Sequence, residues 1–221
     1  MGSRNDPIPP IRALESGGLR LRKRARVLNT SAPTVAVLGG AFDPPHQGHV
    51  LLPAVVLAHR NVTKVLVVPS YAHPFGKAMS AYDHRMSMCQ YAFAAYGSLV
   101  EVSGIEETLG QSDGPVYTID MLEALEKTGV VPRLVIGTDI LPETDRWHRF
   151  DEIQQRFSPI IVGRDGFLSP PDLDCLPALP DVRSRNLRAA LMNQNTELSG
   201  LPAVVLDYIR THDLYRREEA S

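Results

Sequence analysis

Residues 34–49, Thr-Val-Ala-Val-Leu-Gly-Gly-Ala-Phe-Asp-Pro-Pro-His-Gln-Gly-His, constrain this chain more than any other stretch. Val35, Ala36, Val37 and Leu38 form a short apolar run that stops at a glycine pair, which is the pattern of a parallel strand buried on both faces. Gly39 and Gly40 let the backbone approach a ligand closely. Pro44 and Pro45 stiffen the turn that follows. His46 and His49 are spaced so that, on a helix beginning here, both imidazoles share one face. A helix N-terminus presents free N–H groups and a dipole that favour anions. Strand, glycine turn and paired histidines together predict a phosphate site. The bland alternative is an ordinary strand–turn–helix with buried histidines.

A chain of 221 residues suits one α/β domain with some appended sequence. With 43% hydrophobic and 22% charged residues, the composition is that of a soluble globular protein, and no apolar run is long enough to cross a membrane. A net charge of −2 excludes a polyanion-binding surface spread over the whole molecule, so no nucleic-acid partner is expected. Cys89 and Cys175 lack metal-ligand spacing, and free thiols suit a reducing compartment. The basic residues near the N-terminus precede no apolar core, so they do not read as a secretory signal. A cytoplasmic location is expected, and a homo-oligomer stays open.

Residues 1–33 stand apart from the domain expected over 34–221. Pro7, Pro9 and Pro10 oppose an early helix. Arg20, Arg22, Lys23, Arg24 and Arg26 then form a basic run, either an arm for nucleic acid or an acidic partner, or a disordered, solvated extension. Further on, helices are expected over 46–59, with Val50, Leu51, Val55 and Leu57 as the apolar part and a slight bend at Pro53. Another is expected over 82–96, with Met86, Cys89, Ala92 and Phe93 inward, and a third runs to Lys127. The last, over 201–215, turns Val204, Val205, Tyr208 and Ile209 inward. Strands are expected over 64–68, 99–102, 133–137 and 159–162, with a polar connection over 106–113 and a loop holding one short strand over 167–181.

Gly39-Gly40-Ala41-Phe42-Asp43-Pro44-Pro45-His46-Gln47-Gly48-His49 resembles the GGxFxPxHxGH motif of the HxGH nucleotidyltransferase superfamily. Within it the chain resembles bacterial nicotinate-mononucleotide adenylyltransferases over most of residues 34–216. Further segments carry the likeness: Gly114-Pro115-Val116-Tyr117-Thr118, Ile136-Gly137-Thr138-Asp139, Gly163-Arg164, and Ser184 with Arg188. Val116 stands where the family usually has Ser. Arg183 and Arg185 replace a Ser and a Thr, so the phosphate segment loses two hydroxyls and gains two cations.

The resemblance implies a Rossmann-like α/β fold, a doubly wound parallel sheet of five to six strands with helices on both faces. Ligands of such sheets lie above the carboxyl ends of the strands where strand order reverses, so Gly40 and Asp139 are expected across one crevice. It implies adenylyl transfer from ATP to nicotinate mononucleotide, with Mg2+ carried mainly by the ATP phosphates and no protein metal site. Catalysis falls to His46, His49, Lys77 and Arg188. ATP is expected against Gly39, Gly40, Ala41, Phe42, His46, His49, Gly137, Asp139, Arg164, Ser184 and Arg188. The pyridine mononucleotide is expected against Lys77, Arg85, Tyr117, Thr118 and Trp147. His73, four residues before Lys77, departs from the family's loop pattern, and a plain surface loop is the other reading there. The N–H groups at Tyr117 and Thr118 would meet the pyridine carboxylate, or simply start a helix. Trp147 stacks on the ring or anchors the next helix. Two rivals remain: a related transferase with another acceptor, such as nicotinamide mononucleotide, phosphopantetheine or a cytidylyl acceptor, and a non-catalytic nucleotide-binding module.

Overall fold

The computed structural model describes residues 32–72, 79–110, 116–195 and 198–216. The basic run of the N-terminal arm, His73, Lys77 and Gly114-Pro115 lie outside the described residues. Six parallel strands form one sheet in the order β3-β2-β1-β4-β5-β6: β1 (Thr34–Gly40), β2 (Lys64–Pro69), β3 (Val100–Val102), β4 (Val131–Gly137), β5 (Ile160–Arg164) and β6 (Cys175–Leu179). Strand order reverses between β1 and β4. This is the expected doubly wound architecture, and it puts the glycine pair of β1 and the Gly137–Asp139 turn at the same end of neighbouring strands.

Alternation along the strands builds a core on each face. Ala36, Leu38, Val65 and Val67 face one cluster, while Val35, Val37, Leu66 and Val68 face the other. The first face is covered by α1 (Gln47–His59), α2 (Tyr82–Phe93), α6 (Ser184–Met192) and α7 (Ala203–Thr211). The second is covered by α4 (Thr118–Glu126) and α5 (Phe150–Phe157), with α3 (Ile105–Gly110) at its margin. Burial on both faces explains why these strands read as unbroken apolar runs.

Several expectations are corrected. In α1 the buried positions are Gly48, Pro53 and Val56, while Leu51 is 41% exposed. The helix continues past Pro53, which packs inward at a position where it removes one hydrogen bond. The helix from Tyr82 ends at Phe93 and passes into a 3₁₀ segment, Ala94–Leu99, that contains Gly97 at φ +55°. Met88, not Met86, is fully buried there. The polar connection after β3 contains the helix α3. Val204 is 50% exposed, because Val205 and Ile209, four residues apart, take the buried line of α7.

Candidate active site

His46 is the N-cap of α1, in extended conformation at φ −139° and ψ 173°. Its Nδ1 accepts the His49 backbone N–H at 3.4 Å, and the Nδ1 of His49 accepts the His46 backbone N–H at 3.3 Å. This is a capping box in which imidazoles replace the usual Ser and Glu. The rings stack with centroids 3.7 Å apart and planes 17° from parallel. Gly48 makes the stack feasible, since a Cβ there would come within 3.2 Å of His46 Cε1 and Nδ1. His46 is only 2% exposed, and His49 is mostly buried with a part of its surface open.

The cap decides the chemistry of the rings. An Nδ1 that accepts a hydrogen bond carries no proton, so each neutral imidazole bears its proton on Nε2. Burial, reinforced by the charge of Arg164, pushes the His46 pKa down to about 4. Burial, then His46 and Arg164, hold His49 well below the usual histidine range. At neutral pH the pair therefore offers two uncharged Nε2–H donors.

The glycine turn is tightly built behind this pair. Phe42 sits at φ +48° with its ring buried, edge-on to His49 at 4.8 Å and to Phe93 at 6.3 Å. A Cβ on Gly40 would touch that ring at 3.4 Å, whereas one on Gly39 would meet open space. Gly39 is thus the open rim of the turn and Phe42 its buried support. Across the strand reversal, Asp139 folds its carboxylate back over Gly137, with Oδ1 only 2.3 Å from where a Cβ would lie. A side chain at 137 would have to displace that carboxylate.

The C-terminal segment reaches the same turn. Arg188 Nη1 donates to the main-chain oxygen of Asp43, and Ser184 Oγ donates to that of Pro44 at 2.9 Å. Gln47 N–H donates to Gly200 O at 2.9 Å. Ser184 and Arg188 lie on the first turns of α6, whose N-cap Arg183 makes no side-chain cap. Arg164 donates through Nη2 to Val182 O at 2.6 Å and pairs with Asp181 at 3.4 Å. Its backbone N–H meets Thr138 Oγ1 at 2.9 Å. Arg164 therefore joins the turns after β4 and β5 to the segment before α6.

The two extra cations have unequal surroundings. Arg183 Nε bonds both oxygens of Asp181 at 2.8 and 2.9 Å and lies 5.7 Å from the Phe167 ring. Its charge is largely matched within the segment. Arg185 is exposed.

The substrate-side residues separate into two groups. Arg85 is 1% exposed and donates to Ser80 O at 2.9 Å and Ala41 O at 3.0 Å. It is a buried brace between the glycine turn and Ser80, so the expected substrate contact is replaced by backbone bonds. Tyr117 is the N-cap of α4 without a side-chain cap bond. Its exposed ring lies 4.4 Å from that of His148, and Trp147 is half-buried, edge-on to Phe150 at 5.8 Å. Trp147 thus packs against the first residue of α5 and is partly exposed.

Sequence reasoning passed over Asp43, Ser80, His148, Asp181 and Tyr215. A carboxylate set between Phe42 and Pro44 inside the glycine turn was the available signal for Asp43; the others meet their partners only in the fold.

A family profile described as cytidylyltransferase-like matches residues 37–202. A probable nicotinate-nucleotide adenylyltransferase of Myxococcus xanthus is 34% identical over 184 residues, 83% of this chain and 95% of the relative. One from Anaeromyxobacter dehalogenans (strain 2CP-C) is 36% identical over 184 residues, 82% and 96% of the two chains. A structure of Plasmodium falciparum nicotinic acid mononucleotide adenylyltransferase complexed with NaAD superimposes with a TM-score of 0.69 at 17% identity, covering 83% of this chain and 97% of that one. At that identity the structural likeness speaks for the fold.

Proposed function

The chain belongs to the cytidylyltransferase-like family and, within it, to the nicotinate-nucleotide adenylyltransferases, and from this we infer that it transfers the adenylyl group of ATP to nicotinate mononucleotide. The products are nicotinate adenine dinucleotide and pyrophosphate, a step of NAD biosynthesis. The observation in the fold that carries this reading is the reciprocal cap of His46 and His49, set at the strand reversal beside Arg188.

The mononucleotide phosphate attacks the α-phosphorus of ATP. A new P–O bond forms as the bond to the bridging oxygen breaks, and pyrophosphate leaves with that electron pair. A phosphate near neutral pH already carries its negative charge, so no general base is required. The protein's task is to position both phosphates and stabilise the charge that develops on the bridging and nonbridging oxygens. The two Nε2–H groups supply donors that need no reorganisation, because the cap holds both rings. Being neutral, they do not exchange protons with the reaction at pH 7. Arg188 supplies a cation whose planar fork suits phosphate oxygens. Gly39, Gly40 and Ala41 bring backbone close to the triphosphate, with Gly137 and Asp139 on the other side of the strand reversal. The uncapped start of α4 at Tyr117 and Thr118, with Trp147 and Tyr117 as aromatic surfaces, suits a ring carrying a carboxylate.

Among the described residues no group of three or more His, Cys, Asp or Glu could hold a metal ion by itself. Mg2+ would arrive on the ATP phosphates, keep most of its water there and neutralise leaving-group charge. No helix among the described residues is long and apolar enough to cross a membrane. Cys89 and Cys175 are free thiols, in keeping with the reducing, cytoplasmic setting we propose.

A pyrophosphate-release assay tests the reading. With ATP present, nicotinate mononucleotide is expected to turn over faster than nicotinamide mononucleotide or phosphopantetheine. Preference for one of the latter would reassign the acceptor, and ATP binding without pyrophosphate would reduce the protein to a nucleotide-binding module.

A further inference from the structure

We propose that Asp43 and Tyr215 are positioning residues that hold Arg188 for the triphosphate, an assignment that rests on the adenylyl-transfer reading above. Asp43 is 3% exposed, and a buried carboxylate is tolerated only where its oxygens are met by donors. Tyr215 O–H donates to Oδ1 at 2.7 Å. Ser80 N–H approaches Oδ2 at 3.4 Å, and Arg188 Nη1 stands 3.7 Å from the same oxygen. That Arg188 nitrogen also donates to the main-chain oxygen of Asp43. One residue of the glycine turn thus orients the guanidinium through both its carbonyl and its carboxylate.

The tyrosine explains why the ion pair stays loose. A carboxylate and a guanidinium this close favour a tight, two-bond pair at about 2.8 Å. Such a pair would occupy the donors that phosphate needs. Tyr215 holds Oδ1 on the far side, and Ser80 shares Oδ2, so the carboxylate does not turn fully onto Arg188. Nη1 is fixed to the turn and the rest of the five-donor fork stays available to ATP. The positive φ of Tyr215, +59°, sets its side chain after the end of α7, where the ring packs against the sheet core. Neither residue touches the reacting atoms in this scheme; both act through Arg188.

Steady-state kinetics of Tyr215→Phe provide the test. Phe keeps the ring and removes only the donor. The KM for ATP is expected to rise about tenfold, the scale of a lost hydrogen bond to a charged group, with the KM for nicotinate mononucleotide nearly unchanged and the melting temperature lowered by the donor that the buried carboxylate has lost. In an Arg188→Lys background, where no fork remains to be captured, the same substitution is expected to change the KM for ATP less than about twofold, because the two residues act as one unit. Asp43→Asn keeps an oxygen for the Tyr215 hydroxyl but drops the charge facing Arg188, and should show the same ATP-selective defect. An unchanged KM for ATP in both single variants, an equal rise for both substrates, or full additivity with Arg188→Lys would overturn the assignment while leaving the reaction in place. Absence of turnover in the parent protein would overturn the reading of the reaction and this assignment with it.

Discussion

His46 and His49 cap one another across three residues of sequence, whereas Arg188 and Ser184 take their fixing contacts from carbonyls 145 and 140 residues away. Both pairs sit on the first turns of helices that follow parallel strands, and both converge on the turn after β1. Yet the first half of the site holds itself together, and the second is held by the rest of the molecule. Arg164, Asp181 and Tyr215 serve the second half, while the first takes one outside bond, from Gln47 N–H to Gly200 O. The difference teaches where perturbation should travel. Damage to packing in β5, β6 or α7 should reach Arg188 while leaving the histidine stack in place.

The largest expected effect comes from separating capping from chemistry in the histidine half. Gln at the third helical position can return a bond to the N-cap N–H, so His49→Gln should melt like the parent. Without the imidazole donor, turnover should fall about a hundredfold or more. Turnover within a few-fold of the parent would remove His49 from the reaction.

Next in size is a pH effect confined to the same half. The folded His46 pKa lies near 4, below the usual 6.5, so between those values the unfolded chain takes up a proton that the folded one refuses. This contribution to stability is full above pH 6.5 and is lost as pH falls toward 4, by an amount on the order of 3 kcal/mol. His49 acts in the same direction. Denaturant titrations at pH 7 and pH 4.5 should show a smaller acid loss for His46→Asn, which retains a capping side chain but does not titrate. Identical losses in parent and variant would contradict the depressed pKa.

Gly163→Ala probes the borrowed half. A Cβ there would lie 2.9 Å from Ala178 Cα and 3.0 Å from its nitrogen, so β6 must move away from β5. A cost of roughly 1–3 kcal/mol is expected. Because α6 follows β6, the KM for ATP should rise while the acid lability of the histidine pair persists. An unchanged KM with lowered stability would show that Arg188 does not depend on β6.

The smallest effect serves as a control of opposite sign. Glu106, on α3, accepts the Tyr71 N–H at 3.0 Å, and burial lifts its pKa to about 7. Its folded carboxyl keeps a proton that the unfolded chain releases, so its stabilising part is present below about pH 4.5 and lost as pH rises through 7. Partial exposure leaves solvent to screen the group, which reduces the free energy of the shift. Glu106→Gln should flatten stability between pH 5 and pH 8 without changing the acid limb.

The same contrast marks what could be read from the amino-acid order. Val35–Leu38 and the glycine pair announced β1, because a strand buried on both faces leaves an apolar run. The likeness in Ile136-Gly137-Thr138-Asp139 announced the turn after β4, where the Asp139 carboxylate folds back over Gly137. The histidine spacing was legible for the same local reason. Asp43 was passed over because a carboxylate beside prolines reads as a turn former. Its partners Tyr215 and Ser80 lie 172 and 37 residues away. Arg183 read as an added cation because nothing local announces that Asp181 would turn back onto it. Helix α3 was missed since Ile105-Glu106-Glu107-Thr108-Leu109-Gly110 is short and polar, and its two apolar residues meet the core only at its margin.

The bond from Tyr215 to Asp43 has a consequence for synthesis. A nascent chain leaving the ribosome can close its histidine cap as soon as α1 has emerged. The anchored arginine must wait until α7 and the tyrosine beyond it are free of the exit tunnel. Catalytic competence therefore arrives late in translation, well after the first helix is complete.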